Sequence, residues 1–349
     1  MENKNKLRIG DLKEMNKPAT NITYKPRKIE GINWNKVPSY IDKLTWDKLL
    51  SQFWLDSRMP VSNDLADWRN LSPEEKTMFN KVFGGLTLLD TLQGEEGAMT
   101  FMKDAKTKHE HAVYTNIVFM EEVHAKSYST IFSTFNTNSE IDEIFKWVES
   151  NKYLQYKANK ISEIYTTMPY IYKKAASVLL ESFLFYSGFY APLHYLGESR
   201  MMNTAEIIQL IIRDESVHGT YIGAKFRDDF EAIEDPEEQD KIKTWVLELA
   251  MDLWNNELGY TQELYAAIGH VEKVNTFLEY NLNKALDNLG FSPLFPTTAA
   301  DVDALVMNGL STTTGNHDFF SQVGNGYLLG MVEELSAEDY EFVSELVNK

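Results

Sequence analysis

Glu121 with His124 and Glu215 with His218 form two Glu-x-x-His pairs 94 residues apart, each in a stretch whose apolar residues recur at helical spacing. Positions i and i+3 of a helix share one face about a turn apart, so each pair brings a carboxylate and an imidazole toward one point. Bundles that hold two metals draw such pairs from two helices and a lone carboxylate from each of two others. Asp90 in GLTLLDTL and Glu181 in SVLLESFLFYSGF stand among apolar neighbours, where an unpaired ionised carboxylate costs several kcal/mol. Each must therefore be protonated, paired or bound to a cation, and metal coordination is the economical answer. Four carboxylates and two imidazoles would hold two divalent ions with positions open for oxygen. Such a set implies redox chemistry more than hydrolysis and suits iron or manganese without separating them. Glu95, Glu96 and Glu122 read as solvated carboxylates or as supports of the ligands. His109, His111, His194, His270 and His317 lack a glutamate three residues earlier and read as structural or surface residues.

Positioning these groups needs long helices, and the chain is patterned for them. Ser72-Pro73-Glu74-Glu75 has the form of a capping box with proline in the first turn, opening a helix through LTLLDTLQGEEGAMTFM. Further helices are expected at about residues 107–134, 138–157, 160–200, 204–230, 237–266 and 270–288. Strand-like alternation is scarce, and no glycine pattern forms a phosphate loop or dinucleotide fingerprint. The expected class is all-α. Residues 1–30, polar and carrying Pro18 and Pro26, read as an extended arm; 31–300 as the helical domain; 301–349 as a flexible acidic tail.

Composition narrows the function classes. With 43% apolar residues and 13% aromatics, the 349 residues can fill a sizeable core, which argues against disorder. A formal charge of -18 speaks against nucleic-acid binding, which rests on Lys and Arg neutralising phosphates. The absence of cysteine removes disulfides, thiolate ligands and thiol nucleophiles, so any thiol chemistry must come from another chain. MENKNKLRIGDLKEM lacks the apolar core of a signal peptide, which makes the cytoplasm the expected location. Ala175 to Leu196 approaches the length of a membrane span but carries Glu181, Pro192 and His194, and reads as a buried core helix.

Asp90, Glu121, His124, Glu181, Glu215 and His218 follow one another at intervals of 31, 3, 57, 34 and 3 residues. This spacing, with the segments FWLDSRMPVSND, EEVHAKSYS and RDESVHG, closely resembles the radical-generating small subunit of class Ib ribonucleotide reductase, over about residues 40–300. The resemblance implies a ferritin-like bundle, a homodimer and a dimanganese or diiron centre. One metal would be held by Asp90, Glu121 and His124, the other by Glu181, Glu215 and His218, with Glu121 and Glu215 bridging. Tyr128, one turn beyond His124, matches the tyrosine that becomes a stable radical, with Phe185, Phe189 and Ile211 as its dry wall. Trp54 matches the relay tryptophan, and Asp214 the carboxylate that hydrogen-bonds the ligand equivalent to His124. Tyr340 matches the tail relay, with Tyr327 as a competitor. The implied partners are the large subunit, which carries the thiols and reduces ribonucleotides, and a flavodoxin-like activator if the metal is manganese. The alternative is a ferritin-like dimetal oxidase acting on a lipid or small molecule; a metal-storage protein would need neither the tyrosine nor a relay.

Overall fold

The computed structural model describes residues 25–311, the side chains of 310 and 311 excepted. The chain divides into a short unit, residues 1–33, and the body, residues 34–349. The described part of the first unit has no regular secondary structure. The described body is helical, with no strand among its residues. Its helices are α1 (Tyr40–Ser51), α2 (Leu65–Asn70), α3 (Pro73–Leu92), α4 (Ala98–Phe101), α5 (Lys108–Phe135), α6 (Asn138–Ser150), α7 (Lys152–Thr167), α8 (Tyr170–Leu179), α9 (Tyr186–Gly197), α10 (Met202–Glu231), α11 (Pro236–Tyr265), α12 (Val271–Asn288) and α13 (Ala304–Ser311). No described helix is long and apolar enough to cross a membrane.

The starts of these helices follow from local chemistry. Ser72 and Glu75 form the expected capping box, with Glu75 N donating to Ser72 Oγ at 3.1 Å and Ser72 N to Glu75 Oε2 at 2.6 Å. Two boundaries differ from the sequence reading. The expected helix at 138–157 is cut at Asn151, whose side chain caps α7 through the amides of Tyr153 and Leu154. The expected helix at 160–200 breaks at Met168-Pro169, because proline cannot continue the hydrogen-bond ladder. Helix α10 has no capping side chain of its own. Met201, at its N-cap, adopts the left-handed conformation (φ 50°). Asp64, over a hundred residues earlier, accepts from the amides of Asn203 (3.1 Å) and Thr204 (2.6 Å), and Asp67 from Met201 N (2.9 Å).

The ligand-bearing elements pack on one another: α3 against α5, α10 against α5, and the turn Leu180–Leu184 that follows α8, like α8 itself, against α10. Two π-helical turns interrupt the regular winding, Gln93–Gly97 after α3 and Leu180–Leu184 between α8 and α9. Such bulges re-aim side chains and gather at functional sites. Elsewhere a buried ion pair, Lys157 with Glu257 at 2.8 Å, pins α7 to α11, and the ammonium also sits over the Tyr260 ring at 3.9 Å. Residues 304–311, within the expected tail, form helix α13. Helix α13 lies on α9 with Val306 buried, and the close approach needs glycine, since a Cβ on Gly197 or Gly309 would collide with the backbone of Leu305 or Leu193. Tyr327, Tyr340 and His317, like the arm residues 1–24, lie outside the described residues.

Candidate metal centre

The six residues singled out by spacing converge in the middle of the bundle. Asp90 comes from the end of α3, Glu121 and His124 from α5, Glu181 from the second π-helical turn, and Glu215 and His218 from α10. All are buried, at 1% exposure or less. Donor atoms of Asp90, Glu121, His124 and Glu215 lie within 4.8 Å of one another, as do those of Glu121, Glu181, Glu215 and His218. The two clusters share Glu121 and Glu215.

Both histidines turn Nδ1 inward. His124 Nδ1 is 2.9 Å from Glu215 Oε1 and 3.5 Å from both Asp90 Oδ1 and Glu121 Oε2. His218 Nδ1 is 3.0 Å from Glu121 Oε1 and 3.5 Å from both Glu181 Oε2 and Glu215 Oε2. These separations match the roughly 3 Å edge of a coordination shell whose donors stand about 2.1 Å from a first-row ion. The donors are poorly aimed at one another: both oxygens of Asp90, Glu121 and Glu215, Glu181 Oε2, and Nδ1 of each histidine have no hydrogen-bond partner. Buried polar atoms are rarely left so. Four carboxylates against two divalent cations also give a neutral core, so the residues fit a dinuclear centre.

Electrostatics tells the same story from the protein's side. Burial pushes the carboxyls of Asp90 and Glu181 well above their ordinary range, with neighbouring carboxylates adding to the shift. Glu215 goes the other way: burial opposes ionisation, but the close approach of Glu181 and of the two imidazoles, His124 Nδ1 at 2.9 Å, holds it low. Burial alone would lower both imidazoles, yet the surrounding carboxylates raise His124 and His218 well above the usual histidine value. A cation entering the cluster must displace whatever protons these carboxyls and imidazoles carry.

Asp214 links this cluster outward. Its Oδ2 lies 3.2 Å from His124 Nε2 and accepts from Trp54 Nε1 at 2.7 Å. The Trp54 and His124 rings stack at 6.0 Å. Its other oxygen accepts from Gln52 Nε2 at 2.7 Å, while Arg213 ties to the Gln52 carbonyl and stands 3.6 Å from Asp214. Tyr128 is fully buried and its hydroxyl has no partner; burial, then the charges of Asp90 and Glu215, hold its pKa far above normal. Phe185, Phe189 and Ile211 are equally buried, and the Phe83 ring stacks on Tyr128 at 6.2 Å. Phe83, Gln52, Arg213 and Gln93, which donates to Glu181, escaped the sequence reading. Of the other candidates, Glu95 and Glu122 are exposed, Glu96 accepts from Ser162 at 2.6 Å, and His194 pairs with Asp303 at 3.2 Å.

Residues 31–302 match the family profile described as "Ribonucleotide reductase, small chain". The ribonucleoside-diphosphate reductase subunit beta of Mycobacterium leprae is 48% identical, the match covering 90% of this chain and 97% of that protein. The Escherichia coli ribonucleoside-diphosphate reductase 2 subunit beta is 46% identical, with coverage of 90% and 99%. Among solved structures, the dimanganese(II)-NrdF of Streptococcus sanguinis superposes with a TM-score of 0.80 at 60% identity, covering 81% of this chain and 100% of that one.

Proposed function

Because the chain belongs to the ribonucleotide reductase small-chain family, we propose that its buried cluster generates and exports the oxidising equivalent with which a large subunit reduces ribonucleotides. The chain is a beta-type subunit of ribonucleoside-diphosphate reductase. Asp90, Glu121 and His124 would hold one ion and Glu181, Glu215 and His218 the other, with Glu121 and Glu215 shared. The dimanganese neighbour favours manganese. When bound and raised above the divalent state by an external oxidant, the ion pair would supply the capacity to accept one electron from a nearby phenol.

The chain's own groups supply the rest. Tyr128 would give one electron to the oxidised pair and its hydroxyl proton to a base of the centre, Asp90 being the carboxylate whose charge acts on it most strongly, and so become a neutral radical. Its burial and the Phe83 ring keep water and reductants away. Asp214 fixes the orientation of His124 through Nε2 and holds the Trp54 indole by the same oxygen. That continuous link, from ligand to a tryptophan only 7% exposed, is the observation that carries the reading. From Trp54 the hole passes to the tail, through Tyr340, and on to a cysteine of the large subunit, which fits a chain without cysteine. A homodimer, a flavodoxin-like activator that delivers the oxidant to the manganese form, and a cytoplasmic setting belong to the same proposal.

The test is reconstitution. Manganese-loaded protein, activated and mixed with a class Ib large subunit, is expected to convert a ribonucleoside diphosphate to the deoxy form and to show a tyrosyl signal by electron paramagnetic resonance. Turnover of a lipid or small molecule without the large subunit would favour the oxidase alternative instead.

A further inference from the structure

The ligand carboxylates are not equivalent. Asp90, Glu121 and Glu215 each leave both oxygens without a hydrogen-bond partner, but Glu181 leaves only Oε2. Its Oε1 accepts from Gln93 Nε2. Gln93 is fully buried and held in turn at both ends of its amide: Nε2 also donates to Ser177 Oγ at 2.8 Å, and Oε1 accepts from the Tyr165 hydroxyl at 2.6 Å. Two acceptors on one side and a phenol donor on the other fix which end is nitrogen. Tyr165 and Ser177 are themselves fully buried, so none of these bonds competes with bulk water.

The backbone is shaped around this contact. Gln93 opens one π-helical turn and Glu181 lies in the other. Gly97, at the end of the first, leaves the space the amide fills, since a Cβ there would stand 2.1 Å from Gln93 Oε1. We propose that Gln93, fixed by Tyr165 and Ser177, commits one oxygen of Glu181 so that it faces the second cation site with the other alone, and thereby sets the affinity and coordination of that site. Gln93 is a positioning residue acting through Glu181. The proposal rests on the dinuclear reading above.

Anaerobic manganese(II) titration of the full chain, read by the free-ion paramagnetic resonance signal, tests it together with the low-temperature spectrum of the bound ions. Gln93→Leu is expected to leave one binding step unchanged and to weaken the other roughly 10- to 100-fold, with an altered spectrum of the bound pair. Tyr165→Phe, which removes only the phenol donor, weakens the same step by less. Since Gln93 acts through Glu181, the double variant Gln93→Leu/Glu181→Gln should bind no more weakly than Glu181→Gln alone. Unchanged steps and spectrum in Gln93→Leu, equal weakening of both steps, or additive losses in the double variant would overturn the proposal. A wild-type protein that takes up fewer than two ions would sink the dinuclear reading itself, and this one with it.

Discussion

The Tyr128 hydroxyl is a buried polar group with no bond to lose. Removing an unsatisfied hydroxyl at constant ring shape costs little stability, so Tyr128→Phe should melt within about 1 kcal/mol of wild type and still bind metal. It should nevertheless lose the tyrosyl signal and reductase activity; persistence of both would show that the radical sits elsewhere. The sequence could announce the two Glu-x-x-His pairs through helical spacing, and Asp90 and Glu181 through their apolar surroundings, whereas Tyr128 took its meaning from the family resemblance. It could not announce Gln52, Gln93, Phe83 or Tyr165. Their partners are 72 to 162 residues away for the hydrogen-bonded ones, and glutamines or aromatics in apolar helices carry no spacing signal. Asp214 was read only through the family resemblance, and its contact with Trp54 spans 160 residues.

Among the elements, α10 shows the limit of local reading most clearly. It carries Glu215 and His218, yet its N-terminal amides are capped by Asp64 from another part of the chain. No Ser, Thr, Asp or Asn sits at its N-cap, so its start was legible only from the apolar pattern. Asp64→Ala should cost on the order of 1 to 2 kcal/mol, measured by denaturant or thermal unfolding; a change within about 0.5 kcal/mol, the scatter of surface substitutions, would mean that water caps the helix equally well. The misread ends of α6 and α7 have a related cause. Asn151 and Pro169 are ordinary stop signals, overridden in the sequence reading by the apolar residues running through them. The π-helical turns were invisible for a different reason: they insert one residue without altering composition, and only their tertiary fit stabilises them.

Across the whole molecule, stability should depend on cations and on acid. An ion present at about a hundred times its Kd adds about 2.7 kcal/mol, so manganese should raise Tm by about 4 °C for one ion and about 7 °C for two, and a chelator should reverse it; no shift would argue against a preformed site. Asp229 joins α10 to the start of α8 through Lys174 at 2.6 Å, and to Lys106 beside α5. Burial opposes its ionisation, but the two lysines hold its pKa below the ordinary aspartate value. A depressed pKa contributes stability that is complete above the unfolded value and fades as pH falls through the folded one. Asp229→Asn should therefore cost about 2 kcal/mol at neutral pH, and the gap should narrow as the pH drops below about 4; a gap that widened in acid would reverse the assignment. The seat of α13 on α9 carries a last consequence. With glycine steps at Gly197 and Gly309 letting the two backbones touch, and Asp303 clasped by Tyr190, His194 and Lys273, residue 311 is moored to the body at a fixed address, so any larger side chain at either glycine should lift that mooring.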